Sequence, residues 1–369
     1  MRSAASAGVV VVGGGVAGGL LALELRELGT AVTVVAAPEP AGLGSATALS
    51  YGALPGWPLA ATPLARLAAG ASRQWRRLQG RHGALGWRPC RLRVHGGGIA
   101  LRAVSGWWPL PFAQVESSVL AARLPLVLAA AGVTVHQAAA VRVERQSAAG
   151  WQLHLSDGTS LMAPQLVLAA GARCRQLWPA LPPQLRSSWA AVLELAAYPA
   201  PLGPAAAWLP ARFGRVALER RSARLGQPEW LVDGGLVPRG AGALLGQHTL
   251  VHPGLELGAP PLPAEVEGQL RQGLAAQAWG APLAALPGQL RQAAVAFCSS
   301  GAPLVGAVAG APGLWVFTGF SAGFSQVPVL APLVAQALAA GGAQAAAAVR
   351  RLQQLGLGWP DQRGADRAT

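Results

Sequence analysis

The stretch Val9-Val10-Val11-Val12-Gly13-Gly14-Gly15-Val16-Ala17-Gly18 decides the fold, and it stands near the start of a 369-residue chain. Its valines form a short, continuous apolar run, which is typical of a strand buried inside a parallel sheet. Residues 20–28 predict a helix that is closed by Gly29, and residues 32–35 predict a second strand. The order strand, glycine turn, helix, strand within about thirty residues predicts a Rossmann-type unit.

Each glycine of this turn has its own physical task. Gly13 permits the tight turn, Gly15 lets the backbone approach a pyrophosphate, and Gly18 lets the helix pack closely on the strand. The start of the helix also offers free N–H groups and the positive end of its dipole to the phosphates. The predicted dinucleotide site consists of Gly13, Gly14, Gly15, Val16, Ala17 and Gly18.

The acid that would bind the ribose is missing from its usual place. A Rossmann site normally has Asp or Glu at the end of the second strand, where it binds the ribose hydroxyls. Here that position is Ala36, and Glu39 follows in the loop. We expect Glu39 to bind the ribose in place of the missing acid; the alternative is that Glu39 is a solvated loop residue.

The chain is strongly basic, with a formal net charge of +14. All of the positive charge comes from arginine, because the sequence contains no lysine. Arg73, Arg76, Arg77 and Arg81 recur at helical spacing and would share one face of a helix. We interpret this face as solvated, and contact with an acidic partner, RNA or an anionic membrane surface is the alternative.

Other features argue against several classes of protein. Cys90, Cys174 and Cys298 lack the spacing of a zinc site or a redox pair, so we expect no metal and a reducing, cytoplasmic location. Residues 1–8 lack the architecture of a signal peptide. The apolar stretch 327–349 contains prolines, glycines and glutamines, which favours a buried helix over a membrane span.

Segments along most of the chain resemble the glycine oxidase, D-amino-acid oxidase and sarcosine oxidase family of FAD enzymes. Gly44-Ser45-Ala46-Thr47-Ala48 resembles the small-residue loop that runs past the FAD in that family. Residues 165–171 resemble the family strand that returns under the cofactor. Gly301-Ala302-Pro303-Leu304-Val305-Gly306 resembles the family's DGLPLIG stretch, and Gly319-Phe320-Ser321-Ala322-Gly323-Phe324 resembles the loop before its final helix.

The resemblance implies a non-covalently bound FAD and a set of residues in contact with it. The final helix, which we expect to begin near Pro328, would direct its N-terminus at the flavin pyrimidine. A backbone contact with the adenine is implied at Val141. Beyond the glycine turn and Glu39, the implied FAD contacts are Ser45, Ala46, Thr47, Val141, Ala170, Gly171, Gly319, Phe320, Ser321, Ala322, Gly323 and Phe324.

The predicted fold is α/β, with a Rossmann-type FAD-binding domain interleaved with a smaller α+β substrate domain. The FAD-binding domain would contain a parallel sheet with an antiparallel excursion between residues 141 and 162. The substrate domain would be built on an antiparallel sheet that includes a hairpin over residues 230–249. The predicted boundaries are 1–82, 113–185 and 296–369 for the FAD-binding domain, and 83–112 and 186–295 for the substrate domain.

The resemblance implies oxidation of the C–N bond of a small amine or amino acid by hydride transfer to the flavin. Two residues of the family pattern are absent. The arginine that binds the substrate carboxylate falls at Val295, and the lysine that assists reaction with oxygen falls at Leu244. Simple amino acids should therefore be poor substrates unless Arg239 or Arg102 replaces the clamp. The electron acceptor would be oxygen, or a quinone or carrier.

His248 is the catalytic candidate, because Gly246-Gln247-His248-Thr249 resembles an active-site segment of sarcosine oxidases; a surface histidine is the alternative. The covalent cysteine of the family falls near Ala293, so Cys298 is not expected to hold the flavin. The pair Trp107-Trp108 is interpreted as core or domain seam. Two other functions stay open: a flavin dehydrogenase of a non-amino-acid substrate that reduces a quinone or carrier, and a non-catalytic FAD-retaining or RNA-directed binding protein.

Overall fold

The computed structural model describes residues 8–97, 110–146, 150–339 and 341–358. It contains a parallel sheet around the glycine turn and an antiparallel sheet in the middle of the chain. The strands are β1 Val9–Val12, β2 Val32–Val35, β3 Ala53–Pro55, β4 Trp87–Pro89, β5 Leu92–His95, β6 Phe112–Val115, β7 Thr134–His136, β8 Ala140–Gln146, β9 Gly150–Leu155, β10 Ser160–Ala163, β11 Gln165–Leu168, β12 Leu185–Leu195, β13 Ala207–Pro210, β14 Glu229–Arg239, β15 Gly242–Val251, β16 Gln289–Cys298, β17 Leu304–Ala307 and β18 Leu314–Thr318. The α-helices are α1 Val16–Glu27, α2 Pro63–Ala68, α3 Ala71–His82, α4 Ser117–Ala130, α5 Cys174–Leu177, α6 Gly214–Arg221, α7 Pro263–Ala275, α8 Gly323–Ala339 and α9 Gly342–Gln354.

The first sheet has the strand order β17-β18-β11-β1-β2-β7, in which only β17 is antiparallel to its neighbour. β1 is buried on both faces, as its run of valines predicts. Val9 and Val11 pack with residues of α1, α4 and α8, while Val10 and Val12 pack with the antiparallel sheet of β8, β9 and β10. The predicted Rossmann-type sheet with an antiparallel excursion is therefore confirmed.

The second large sheet has the order β16-β12-β15-β14-β13-β5 and carries the predicted hairpin as β14 and β15. Helix α7 covers one face of this sheet, where Leu270 and Leu274 pack against Leu193 and Leu245. A small sheet of β3, β6 and β4 joins strands from both predicted domains. The α/β fold with a second, antiparallel domain is confirmed, whereas the residue boundaries between the domains stay predictions.

The predicted start of the final helix was wrong. Helix α8 begins at Gly323, so that Pro328 and Pro332 lie inside it. Proline at position 328 lacks the N–H that would bond to the carbonyl of Phe324. That carbonyl instead accepts a hydrogen bond from Nε1 of Trp75, at 2.7 Å. A tertiary contact thus replaces the helical bond that the proline removes.

The apolar stretch 327–349 forms parts of two helices rather than one. Helix α8 ends at Ala339, and α9 begins at Gly342, whose φ of +55° suits glycine. Among the described residues, no helix is both long and apolar enough to cross a membrane.

The arginines of α3 are partly engaged within the molecule rather than forming a fully solvated face. Arg77 binds Glu24 of α1 at 2.5 Å, and Arg81 forms an ion pair with Glu27. The guanidinium of Arg76 lies over the ring of Trp87, 5.6 Å from its centroid. Two of these arginines therefore join α3 to α1.

Candidate active site

One cavity of about 2070 Å³ extends from the glycine turn to the antiparallel sheet. Its lining begins at Gly13 and Glu39, continues along the loop before α8, and reaches Leu209 and Val295 in the second sheet. Small-molecule pockets typically measure about 300–1,000 Å³. The cavity therefore has room for a dinucleotide together with a second, smaller molecule.

The structure brings nearly all of the predicted FAD-binding residues to this one cavity. Every one of them lines it except Gly18 and Val141. Gly18 lies in the first turn of α1, where an added Cβ would stand 2.0 Å from the carbonyl oxygen of Gly13. This geometry matches the packing task expected of Gly18, while the assignment of the lining residues to FAD stays a prediction.

The glycine turn has the shape that a pyrophosphate requires. Gly13 has a φ of +123° and donates its N–H to the carbonyl of Val35 at 2.8 Å. A Cβ added to Gly14 would lie 2.7 Å from the Cβ of Ala36, and one added to Gly15 would lie 3.0 Å from Oγ1 of Thr47. Side chains at these positions would crowd the entry to the first turn of α1. The turn thus fits a group that is bound by bare backbone.

Thr47 covers the start of α1 from the neighbouring loop. Its buried hydroxyl accepts a hydrogen bond from the N–H of Val16 at 3.0 Å. The N-cap residue Gly15 has no side chain that could cap the helix. Free N–H groups and the positive helix dipole therefore face the cavity beside a hydroxyl, which is a donor set suited to phosphate.

Glu39 lies where a ribose-binding acid could act, since it lines the cavity together with Ala36. Burial raises the pKa of the Glu39 carboxyl, while Arg173 and a hydrogen bond with Ser45 oppose that rise. Glu39 is also the only acidic residue in the described lining of the cavity. Glu39 is exposed at the edge of the cavity, so ribose binding stays a prediction beside the solvated alternative.

The implied adenine contact at Val141 stays a prediction, because it concerns the backbone and not the side chain of this residue. Ala140 lines the cavity, whereas Val141 does not and is 60% exposed. The pairing of β8 with β9 shifts register between Ala140 and Arg142, so a bulge at Val141 turns its side chain outward. The bulge cannot be recognised from the alternation of the sequence alone.

The loop before α8 closes the cavity on the side of the second sheet. Gly319 has a φ of +78°, and an added Cβ would stand 2.5 Å from Sγ of Cys298. Cys298 therefore packs behind the loop and does not line the cavity; burial raises the pKa of its thiol to about 12. Ala293, where the family's covalent cysteine falls, lines the cavity and has no nucleophile.

His248 does not reach the cavity. Its neighbour Gln247 lines the cavity, and the alternation along β15 directs His248 to the other face of the sheet. There the imidazole is buried, lies 2.7 Å from Oε1 of Gln269 on α7, and stacks with Trp230. Burial lowers the pKa of His248. These contacts are those of a packing residue.

Within the part of the chain that the structure describes, no arginine stands at the expected position of the carboxylate clamp. Val295 lines the cavity, as the resemblance implies, but Arg291 and Arg239 do not. Both of these arginines bind Glu194, with nitrogen–oxygen distances of 3.0 and 3.2 Å. Leu244 is buried and also outside the lining, and Arg102 and the pair Trp107-Trp108 lie outside the described residues.

Sequence reasoning missed a group of arginines around α6. The arginines that line the cavity are Arg173, Arg212, Arg215, Arg220, Arg221 and Arg224. All but the first belong to residues 212–224, whose recurrent arginines could have been noticed in the sequence. Nothing in that pattern indicates which way the helix faces, because this depends on its contacts with β14 and with the loop before α8.

Those contacts fix α6 firmly. Asp233 of β14 accepts hydrogen bonds from the N–H groups of Gly214 and Arg215, at 2.6 and 3.0 Å. Burial raises the pKa of Asp233, and these helical N–H groups oppose the rise. Glu219, which is buried, binds Arg215 at 3.0 Å and accepts a hydrogen bond from the hydroxyl of Ser321 at 3.0 Å. Helix α6 is thereby joined to the loop before α8.

Comparisons with solved structures agree with this architecture. Glycine oxidase from Geobacillus kaustophilus is similar at a TM-score of 0.67 and 18% identity, covering 90% of this chain and 94% of that one. Iminodiacetate oxidase from Chelativorans sp. BNC1 is similar at 0.65 and 18%, covering 90% and 94%. L-proline dehydrogenase from P. horikoshii is similar at 0.65 and 13%, covering 91% and 93%. No curated protein matches the chain significantly.

The family is shown by the sequence itself. The family model described as DAO, FAD dependent oxidoreductase, matches residues 8–103 and 92–337, which together span most of the chain. FAD is accordingly the cofactor, in agreement with the glycine turn and the phosphate-suited start of α1. The chain belongs to the DAO family of FAD-dependent oxidoreductases.

Proposed function

We propose that this oxidoreductase oxidises the C–N bond of a small amine or amino acid within the described cavity. The observation that carries the proposal is the continuity of this cavity from the glycine turn to Val295 on the second sheet. Bound FAD would supply the hydride acceptor for this reaction. The product would be an imine, which water hydrolyses to a carbonyl compound.

The chain's own contribution would be binding, orientation and exclusion of water. Apolar and aromatic side chains such as Tyr51, Phe112 and Leu209 form the wall on the substrate side. Trp189 is buried in the same wall. Helix α8 begins at Gly323 in the cavity lining, where its dipole would stabilise negative charge on the cofactor.

The predicted absence of a carboxylate clamp supports a preference for amines over simple amino acids as substrates. Val295 cannot form the charge-assisted hydrogen bonds of an arginine. Losing such a contact with a buried partner costs about 2–5 kcal/mol, or roughly 30- to 5,000-fold in affinity. Glycine and D-alanine should therefore be poorer substrates than larger amines.

The dehydrogenase alternative rests on Leu244, which stands where the family lysine assists oxygen and is buried outside the cavity. The acceptor would then be a quinone or carrier. The RNA-directed alternative loses support, because Arg77 and Arg81 of α3 pair with acids of α1.

Anaerobic mixing of the yellow holoprotein with a panel of amines, amino acids and hydroxy acids tests the proposal. Amines should bleach the flavin absorbance, and acid precipitation should release the flavin into the supernatant. Bleaching by hydroxy acids alone would overturn the proposal. Oxygen consumption, compared with reduction of a soluble quinone, then separates an oxidase from a dehydrogenase.

A further inference from the structure

The segment 212–224 forms a basic wall along the substrate side of the cavity. Its lining residues include Arg212, Arg215, Arg220, Arg221 and Arg224. Among the described residues of the lining, the single carboxylate is Glu39, which lies with Ala36 near the glycine turn. Positive charge on this wall is therefore not balanced by acids of the cavity itself.

Two of these arginines have a structural partner. Arg215 binds Glu219 at 3.0 Å and donates to the carbonyl of Ser321 at 2.8 Å. Arg221 binds Glu229 at 2.5 Å. The first of these ion pairs is mostly buried and the second is exposed, and each neutralises its arginine.

The other three arginines of the wall have no such partner. Arg212, Arg220 and Arg224 are exposed, and none has a hydrogen bond or an ion pair within the described part of the chain. They lie on a helix and its two flanks that Asp233 and Glu219 hold rigidly. A fixed set of unpaired cations at a cavity with apolar walls concentrates anions near the cavity.

The phosphates of the cofactor do not require these cations. The glycine turn and the start of α1 already provide a suitable site at the other end of the cavity. The substrate side, in contrast, lacks an arginine at Val295. The cations of the wall are therefore available for an anionic group on the substrate.

We propose that Arg212, Arg220 and Arg224 select amines that carry an acidic group remote from the carbon that is oxidised. The inference rests on the proposed C–N oxidation and names its substrate class. The apolar wall would hold the aliphatic part of such a compound, and the arginines would bind its far carboxylate. An α-carboxylate would lie beside Val295 and gain nothing from them.

Matched pairs of compounds test this inference on the holoprotein. Straight-chain amines of three to six carbons are compared with the ω-amino acids of equal length in anaerobic flavin reduction. The ω-amino acids should react roughly tenfold faster at low substrate concentration, given three exposed cation–anion contacts. Raising the salt concentration should reduce this advantage.

A charge-matched pair of variants isolates the wall. The triple variant R212Q/R220Q/R224Q should lose most of the preference for ω-amino acids. The control R66Q/R73Q/R350Q removes the same charge from exposed positions that do not line the cavity and should keep the preference. Both variants are first checked for equal FAD content and unfolding midpoint.

The outcomes separate this inference from the proposed function. Equal rates for amines and ω-amino acids, or a preference that survives the triple variant, would overturn the inference while C–N oxidation stands. If no amine of either kind bleaches the flavin, C–N oxidation fails, and binding of adipate and 1,6-hexanediol decides the inference through the flavin spectrum. The inference is supported if adipate binds more tightly than 1,6-hexanediol and the triple variant loses this difference. Equal binding of the two compounds overturns the inference.

Discussion

The two ends of the cavity are built from different parts of the polypeptide. At the nucleotide end, the backbone of Gly13 to Gly15 and the start of α1 form the site, and the surrounding side chains are small. At the substrate end, side chains from β12, β16 and α6 form the walls. A backbone site depends on a short local sequence, whereas a side-chain site depends on how distant segments meet. The first end therefore identifies a cofactor class, and the second determines the substrate.

The substitution Gly15→Val should have the largest effect on this comparison. Its side chain would crowd Oγ1 of Thr47 and occupy the approach of the pyrophosphate, whereas no backbone atom lies within 4 Å of the added Cβ. We expect the fold to survive and FAD affinity to fall by at least about 100-fold, equivalent to roughly 3 kcal/mol. Titration of the apoprotein with FAD measures this loss.

Gly268→Val serves as the control, because Gly268 lies on the exposed face of α7, where an added Cβ meets nothing within 4 Å. Unchanged FAD affinity in Gly15→Val would show that the pyrophosphate does not bind at this turn.

The role of Glu39 predicts an intermediate effect that a second substitution should reverse. If Glu39 binds the ribose, E39A removes a hydrogen bond to a charged group worth about 1.5–3 kcal/mol, so FAD affinity should fall about 10- to 150-fold. Adding A36E returns an acid to the end of β2 and should restore most of the affinity. Titration of both variants with FAD is the measurement; wild-type affinity in E39A would identify Glu39 as a solvated residue.

The smallest effect concerns the substrate end. Asp233→Ala removes the acceptor for the N–H groups of Gly214 and Arg215. The loss of a helix cap should lower the free energy of unfolding by about 1–2 kcal/mol. FAD affinity should change less than about twofold, which is below 0.5 kcal/mol, because Asp233 does not line the cavity.

Urea unfolding and FAD titration measure these two quantities for Asp233→Ala. A large loss of FAD affinity in this variant would contradict the division of the cavity into two independent ends.

The sequence predicts the nucleotide end well because its signals are local. The run of valines, the glycine spacing and the hairpin at residues 230–249 each act over a few neighbouring residues, and all appear in the structure. Two predictions that depended on long-range contacts, the start of α8 and the orientation of His248, differ from the structure. The start of α8 depends on Trp75, and the orientation of His248 depends on which face of β15 meets α7.

The substrate end was the hardest to predict for the same reason. The arginines of residues 212–224 resemble those of any solvated helix until Asp233 and Ser321 determine how the helix is oriented. Only the alternation of β15, with Gln247 facing the cavity, could have indicated that His248 points away from it.

The bond between Trp75 and Phe324 also has a mechanical consequence. Since Pro328 cannot donate a helical hydrogen bond to the carbonyl of Phe324, this carbonyl accepts one from the indole of Trp75 instead. The two rings also stack, with centroids 5.9 Å apart. A shift of α8 by one residue would break both contacts at once, so these contacts favour one packing register of α8 against α3. The same two contacts also fix Phe324, the last residue of the predicted loop 319–324, against α3.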